Sequence, residues 1–252
     1  MSDNWGNYFT LVVDKLTSVF LDLEAGSALG TLADPHLILI RISLKSSNPD
    51  GLSTNEEFPE LCLVDDAISE LAQLPRPYIY VGRITSQGER TFFVYTEGDS
   101  RSGLDEIKAS LAQKISDYPL FFALRKDPDC SGYLQFLSPS PEEMQTIQNQ
   151  RIIQTLLQHG DDLSQPRPVD HFVYFPSPAK REEFKQKIAN LEIGSWQESE
   201  RGEETSKEYC LNFVKVSAVD LPTIDKIVIT LCRLAQESNG EYDGWGAPIV
   251  KK

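Results

Sequence analysis

Residues 220–245 read DLPTIDKIVITLCRLAQESNGEYDGW, and they decide the fold of the second half of the chain. Ile224, Ile227, Val228, Leu231, Leu234 and Ala235 recur at helical spacing and form one apolar stripe. Asp220 caps the start of that helix, and Gly240 falls where a left-handed C-terminal cap is expected. Two acids and two large aromatics follow at once. Asp243-Gly244 has turn chemistry. Tyr242 and Trp245 then have two options. They fold back as core caps with their polar ends satisfied locally, or they stand exposed as interaction anchors. Attachment to a helix end favours the first. Glu241, Tyr242, Asp243 and Trp245 are the candidate interaction residues.

Working back from that helix, residues 171–175 form a continuous apolar strand, central in its sheet. Ser177-Pro178 opens a helix with Phe184, Ile188 and Leu191 on one face. Residues 193–199 and 208–216 read as a hairpin with the charged stretch 200–207 as its solvated tip. The order is β-α-β-β-α followed by an apolar tail, residues 247–250. With that tail as a fourth strand, this is the split β-α-β arrangement of ferredoxin-like domains.

The first half is also mixed. Residues 8–13, 19–23 and 36–44 are short strands. Ser53 with Glu56, or Thr54 with Glu57, has the spacing of a capping box. A helix is expected from there to about Gln73, with Leu61, Val64, Ile68 and Leu71 inward and Pro75 ending it. Residues 78–85 and 90–95 form a hairpin with Gly88 in its turn. A helix at 104–115 and strands at 120–124 and 133–136 complete the half. Ser140, Pro141 and Glu143 open another helix. The expected fold is α+β: two α/β-sandwich domains, at 1–138 and 167–252, joined by a linking helix and linker over 139–166, the second domain ferredoxin-like.

The chain carries 24 Lys+Arg against 38 Asp+Glu, a net charge of −14. Residues 1–138 contribute −9 and the remainder −5. Such a surface repels phosphate backbones, which speaks against direct nucleic-acid or anionic-membrane binding, and its natural complement is a basic partner. Cys62, Cys130, Cys210 and Cys232 lie far apart with no C-x-x-C pair, so free thiols in a reducing cytoplasm are expected, with Cys210 and Cys232 as small core residues. The start Met1-Ser-Asp-Asn has no signal-peptide pattern, and no apolar run is long enough to span a bilayer.

Catalytic motifs are missing. His36, His159 and His171 stand in three different contexts without metal-ligand spacing. There is no P-loop, dinucleotide fingerprint or Gly-x-Ser-x-Gly. The acid pairs at 56, 65, 142, 161, 182 and 203 read as solvated faces, three of them in first helical turns. Neither a metal nor a cofactor is expected. Arg83 and Tyr95, each in a hairpin strand, form a candidate anion site, against the blander reading of exposed cross-strand residues.

The stretch from about Arg167 to Trp245 resembles the family of the regulator of ribonuclease E activity B (RraB). The likeness rests on VDHFVYFP, the following helix and hairpin, and TLCRLAQESNGEYDGW. That family typically ends Gly-Gly-x-Tyr-Asp-Gly-Trp; here Asn239 replaces the first glycine, a mild change because asparagine tolerates a left-handed backbone. The first half resembles domain-of-unknown-function family 695, on Trp5, GLSTNEEFPEL, YVGRITSQGERTFFVYT and DPDCSGYLQFLSP, although Cys130 follows Asp127-Pro-Asp where a tryptophan is usual. The first resemblance implies a small acidic regulator that binds ribonuclease E and restrains RNA decay. The expectation is therefore a non-enzymatic cytoplasmic interaction protein that meets a basic segment of a protein partner. The alternatives are a small-ligand or anion sensor, with a pocket between the halves near Arg83 and Tyr95, and an enzyme of unrecognised class.

Overall fold

The computed structural model describes residues 2–98, 100–202 and 208–251. The chain divides into two compact units, Met1–Ser138 and Pro139–Lys252. Each is a mixed helix-and-sheet unit around its own antiparallel sheet, the α+β class expected.

In the first unit, strands β1 (Trp5–Val12), β2 (Lys15–Asp22), β3 (His36–Ser43), β4 (Ile79–Ser86), β5 (Glu89–Thr96) and β6 (Phe121–Lys126) lie in the order β1-β2-β4-β5-β3-β6. Both tight hairpins use two-residue turns with positive φ: Val13 at 49° and Asp14 at 59°, Gln87 at 53° and Gly88 at 76°. That geometry matches strand twist. Alternation then sorts the side chains. Ile38, Ile40, Ile42, Phe92 and Val94 face α2 (Phe58–Ser69) and α3 (Ser100–Lys114), meeting Leu61, Val64, Ile68, Ile107 and Leu111 in one core. Leu37, Phe93 and Tyr95 face the other way, beneath a π-helical turn at Gly132–Leu137; the short α1 (Ala25–Leu29) lies against that turn's Tyr133.

Two local expectations fail here. Residues 133–136 are not a strand but part of the π turn. Cys130 takes φ 48°, Asp127 accepts from Ser131 N (3.1 Å) and Gly132 N (2.9 Å), and Tyr133 N donates to Tyr95 Oη (3.1 Å). Those anchors wind a short stretch whose aromatic-rich composition reads as extended. Helix α2 begins at Phe58, later than the capping spacing implied. Thr54 Oγ1 does accept from Glu57 N (3.4 Å), but the Glu57 carboxylate is taken by Lys45 N (2.8 Å), Ser46 N (3.0 Å) and Tyr118 Oη (2.9 Å). Only half the box forms, and α2 tightens into a 3-10 turn over Glu70–Gln73 before Pro75.

The second unit runs α4 (Pro141–Gln158), β7 (Arg167–Phe175), α5 (Pro178–Ile188), β8 (Ile193–Arg201), β9 (Glu208–Ser217), α6 (Leu221–Glu237) and β10 (Glu241–Gly246). Strand order β10-β7-β9-β8 is that of a ferredoxin-like sheet, with β7 interior. Ser140 and Glu143 complete a reciprocal capping box, and Asp220 accepts from Thr223 N (3.2 Å). Ile224, Val228, Leu231 and Ala235 of α6 join Val173, Phe175, Phe184 and Phe213 in the core. Ile153 and Leu156 of α4 are buried in the same cluster, so this helix is a packed layer of the second unit rather than a link. Of the expected hairpin tip, residues 203–207 lie outside the described residues; Arg201 and Glu208 still pair across its base.

The fourth strand is not residues 247–250. It is the Glu-Tyr-Asp-Gly-Trp-Gly segment itself, and the tail beyond is fastened by side chains. Asp161 accepts from Val250 N (2.8 Å), and Arg167 donates to Pro248 O (3.1 Å) while paired with Asp161, both side chains being buried.

Candidate functional site

The C-terminal motif is built by three departures from regular structure. Helix α6 ends in a Schellman arrangement: Asn239 N donates to Gln236 O (2.9 Å) and Gly240 N to Ala235 O (2.8 Å). The left-handed residue is Asn239, at φ 52°, not Gly240 as the sequence suggested. Gly240 is needed for another reason: a Cβ there would stand 2.4 Å from Phe175 Cε1 and 3.0 Å from Tyr174 O. Strand β10 then pairs antiparallel with β7, setting Tyr242 opposite Val173 and Trp245 opposite His171, with a bulge between Tyr242 and Gly244. Three positions apart on a regular strand, Tyr242 and Trp245 would point to opposite faces. The extra residue, Asp243, resets the alternation and turns both rings inward.

Tyr242 is 4% exposed and Trp245 6%, while Glu241 and Asp243 face solvent. The Trp245 indole donates to Asn149 Oδ1 on α4 (2.7 Å), and Asn149 Nδ2 donates to Asp225 on α6 (2.7 Å). Gln145 Nε2 reaches Tyr242 O (3.3 Å). The Tyr242 hydroxyl lies 2.7 Å from His171 Nδ1, and burial keeps the phenol protonated. His171 is fully buried; burial first, and the Lys215 charge second, push its imidazole down to about 4, so it is neutral at pH 7. The four candidates therefore separate. Tyr242 and Trp245 knit β10 to α4 and β7, and of the four only Glu241 and Asp243 face solvent.

Arg83 and Tyr95 do not form one site. Arg83 lies opposite Phe92 in the β4/β5 register and shares its face, towards α2; Tyr95 is on the reverse face by alternation. Tyr95 Oη donates to Asp127 (2.6 Å), which also accepts from Ser131 Oγ (2.6 Å). Burial opposes ionisation of Asp127, but the hydrogen bonds from Ser131, Tyr95 and Gly132 outweigh it and hold the carboxyl below its ordinary value. Tyr95 is thus a strut for the π turn.

Arg83 has different company. Its Nε stands 3.0 Å from Asp65, its guanidinium lies over the Phe20 ring (4.6 Å to the centroid), and Arg90 Nη1 meets the same carboxylate at 3.2 Å. One acid thus serves two guanidinium groups. Burial still raises Asp65 above its ordinary value against both charges, and burial, then the Arg83 charge, lowers Arg90. Around this cluster, Trp5 stacks on Phe20 (4.9 Å) and Tyr80 lies beside Trp5 (5.4 Å). These rings and Arg83 line a cavity of about 320 Å³. Sequence reading singled out Arg83 but missed Asp65, which looked like half of a solvated acid pair.

His36 and His159 each bond a nearby backbone carbonyl through Nδ1 (2.9 and 2.8 Å). Among the described residues no cluster of His, Cys, Asp and Glu could hold a metal ion, and no helix is long and apolar enough to cross a membrane. All four cysteines are free; Cys62 is partly exposed and the other three are buried.

Residues 146–247 match the model of the family described as regulator of ribonuclease activity B, and residues 3–138 match a family of unknown function, DUF695. No curated protein matches the chain. Among solved structures, the chain is similar to an unknown protein from Galdieria sulphuraria at 10% identity and TM-score 0.27, over 86% of this chain and 99% of that one. It is also similar, at 11% identity and TM-score 0.26 over 86% and 98%, to a protein proposed as a glycine cleavage system transcriptional repressor. Both scores lie below those of a shared fold.

Proposed function

We infer, for a chain that belongs to the DUF695 family and carries an RraB-type second unit, a regulatory protein that acts by binding another protein rather than by catalysis. The observation that carries this reading is the match of residues 146–247 to a family of ribonuclease regulators. The geometry supports it: the motif that ends this unit spends its aromatic rings on the fold and leaves Glu241 and Asp243 on the solvent side of an edge strand. Outward carboxylates on a chain of net charge −14 suit a basic segment of the partner. A ribonuclease E-type nuclease, whose RNA-binding stretches are basic by necessity, is the partner we propose. Occupying such a stretch would compete with RNA for it. Binding of this kind is screened by salt, since exposed charges lose contact beyond about 8 Å at physiological ionic strength.

The test is capture of partners from native lysate on the immobilised full chain, eluted with a salt gradient, followed by direct titration of the captured protein. The expected result is an RNA-processing protein released at moderate salt, bound at least tenfold more weakly by a Glu241→Lys, Asp243→Lys variant of unchanged melting temperature. Capture of no basic or RNA-processing protein, or equal binding by the charge-reversed variant, refutes the reading.

A further inference from the structure

We propose that the groove of the first unit between α2 and strands β1, β2 and β4 binds a small planar, aromatic monocarboxylate. The groove is a consequence of register. Phe20 pairs with Arg83 across β2 and β4, and the Trp5–Phe20 and Trp5–Tyr80 ring contacts set all four side chains on the sheet face turned towards α2. Phe58, the first residue of α2, is 51% exposed at the mouth. The sheet's core is filled, whereas here four rings border open space. That space is about 320 Å³ on one side of Arg83 and about 410 Å³ on the other, a volume suited to a ligand of one or two fused rings.

The charge of the ligand follows from the cluster at the groove's floor. Arg83 and Arg90 share Asp65, leaving one positive charge uncompensated. Arg90 is spent: its side chain is 3% exposed, its Nε donates to Thr85 (3.1 Å) and its Nη1 reaches Asp65. Arg83 is not. Its side chain is 13% exposed and lines both cavities, and its two terminal nitrogens have no hydrogen-bond partner among the described residues. Beside it the buried Tyr80 hydroxyl also has no hydrogen-bond partner, a costly state that a ligand oxygen relieves. A carboxylate supplies two acceptors, one for the guanidinium and one for the phenol, and its ring replaces water against Trp5 and Phe20. The guanidinium already stacked on Phe20 extends that flat wall. Asp65 in the cluster and Asp66 at the rim oppose a second negative charge, so inorganic phosphate and nucleotides are poor fits.

Cys62 lines this groove and is the one cysteine of the four that is not buried, which makes it a reporter. The experiment uses the full chain with indole-3-acetate as probe and indole-3-acetamide and inorganic phosphate as controls. It measures the rate of Cys62 alkylation by iodoacetamide and the melting temperature of the first unit. Indole-3-acetate at millimolar concentration is expected to slow alkylation at least fivefold and raise the melting temperature, while the amide and phosphate do neither. Arg83→Gln is expected to remove the protection. Should that variant fail to fold, Tyr80→Phe, which keeps the ring and deletes only the hydroxyl, decides in its place with a loss of affinity of at least threefold. Equal protection by the amide, or none by the acid on folded protein, overturns the proposal.

Discussion

Replacing Trp245 by alanine separates a structural ring from a contact surface. The side chain is 6% exposed and holds a 2.7 Å hydrogen bond to Asn149, which is fully buried. An indole buries on the order of 200 Å², worth about 5 kcal/mol at 25 cal/mol per Å². Measured truncations of buried aromatics cost about 3–5 kcal/mol. Stranding Asn149 Oδ1 adds about 1 kcal/mol. A loss of about 4–5 kcal/mol is a large share of the roughly 5–15 kcal/mol that stabilises a domain, and at about 4 °C per kcal/mol it lowers the melting transition of the second unit by about 15–20 °C. Differential scanning calorimetry of the full chain reads this directly, with the transition of the first unit as internal control. Trp245→Phe, which keeps a ring but not the donor, should fall between, and combining it with Asn149→Ala should show a coupling of about 1 kcal/mol. A Trp245→Ala protein that melts within about 2 °C of the parent and loses partner binding would refute the buried-ring account.

Gly240→Ala should cost at least about 2 kcal/mol in urea denaturation, because the new methyl meets the Phe175 ring, whereas Asn239→Gly at the left-handed position should be neutral or gain a few tenths. Val13→Asn with Asp14→Gly should stabilise the first unit by about 1 kcal/mol, since the β1–β2 turn holds a β-branched residue at φ 49°; an unchanged melting temperature would argue against this turn. His171 gives a pH signature. Its ordinary value of 6.5 is depressed to about 4 in the fold, so the unfolded chain takes up the proton first. The parent therefore keeps its full stability above pH 6.5 and loses it as pH falls, by about 3 kcal/mol near pH 4, a loss not suffered by His171→Gln, which is the less stable protein at neutral pH for want of the buried ring. Chemical denaturation of His171→Gln and parent should therefore converge towards low pH, and parallel profiles would contradict a buried neutral imidazole.

What the sequence made legible was local. The α6 stripe, the caps at Ser140 and Asp220, and the hairpin with Gly88 each declare themselves within one period of helix or strand, and each stands in the structure. What it hid was decided at a distance. Tyr133-Leu-Gln-Phe136 is short and aromatic-rich like a strand, and Asp127, in the loop after β6, and Tyr95 on β5 wind it into a π turn. Asp243-Gly244 carries turn chemistry, and pairing with β7 converts it into a bulge in a strand. Asp65 resembles any surface acid until the hairpin folds Arg83 and Arg90 over it. Arg83 and Tyr95 are close in register but on opposite faces, a distinction of parity that the β4 bulge between Tyr80 and Gly82 obscures in the sequence.

The four sheet edges differ in their protection against foreign strands. Edge β6 carries Arg125 and Lys126, β8 carries Glu198, Glu200 and Arg201, and β10 carries Glu241 and Asp243. Strand β1, WGNYFTLV, has no charged side chain, and Phe9 and Leu11 on it are 52% and 67% exposed. Charges along an edge are what keep two sheets from joining through their unpaired backbone groups. In concentrated solution this strand is therefore where copies of the chain would zip together first, and a lysine at position 11 is the smallest change that would keep them apart.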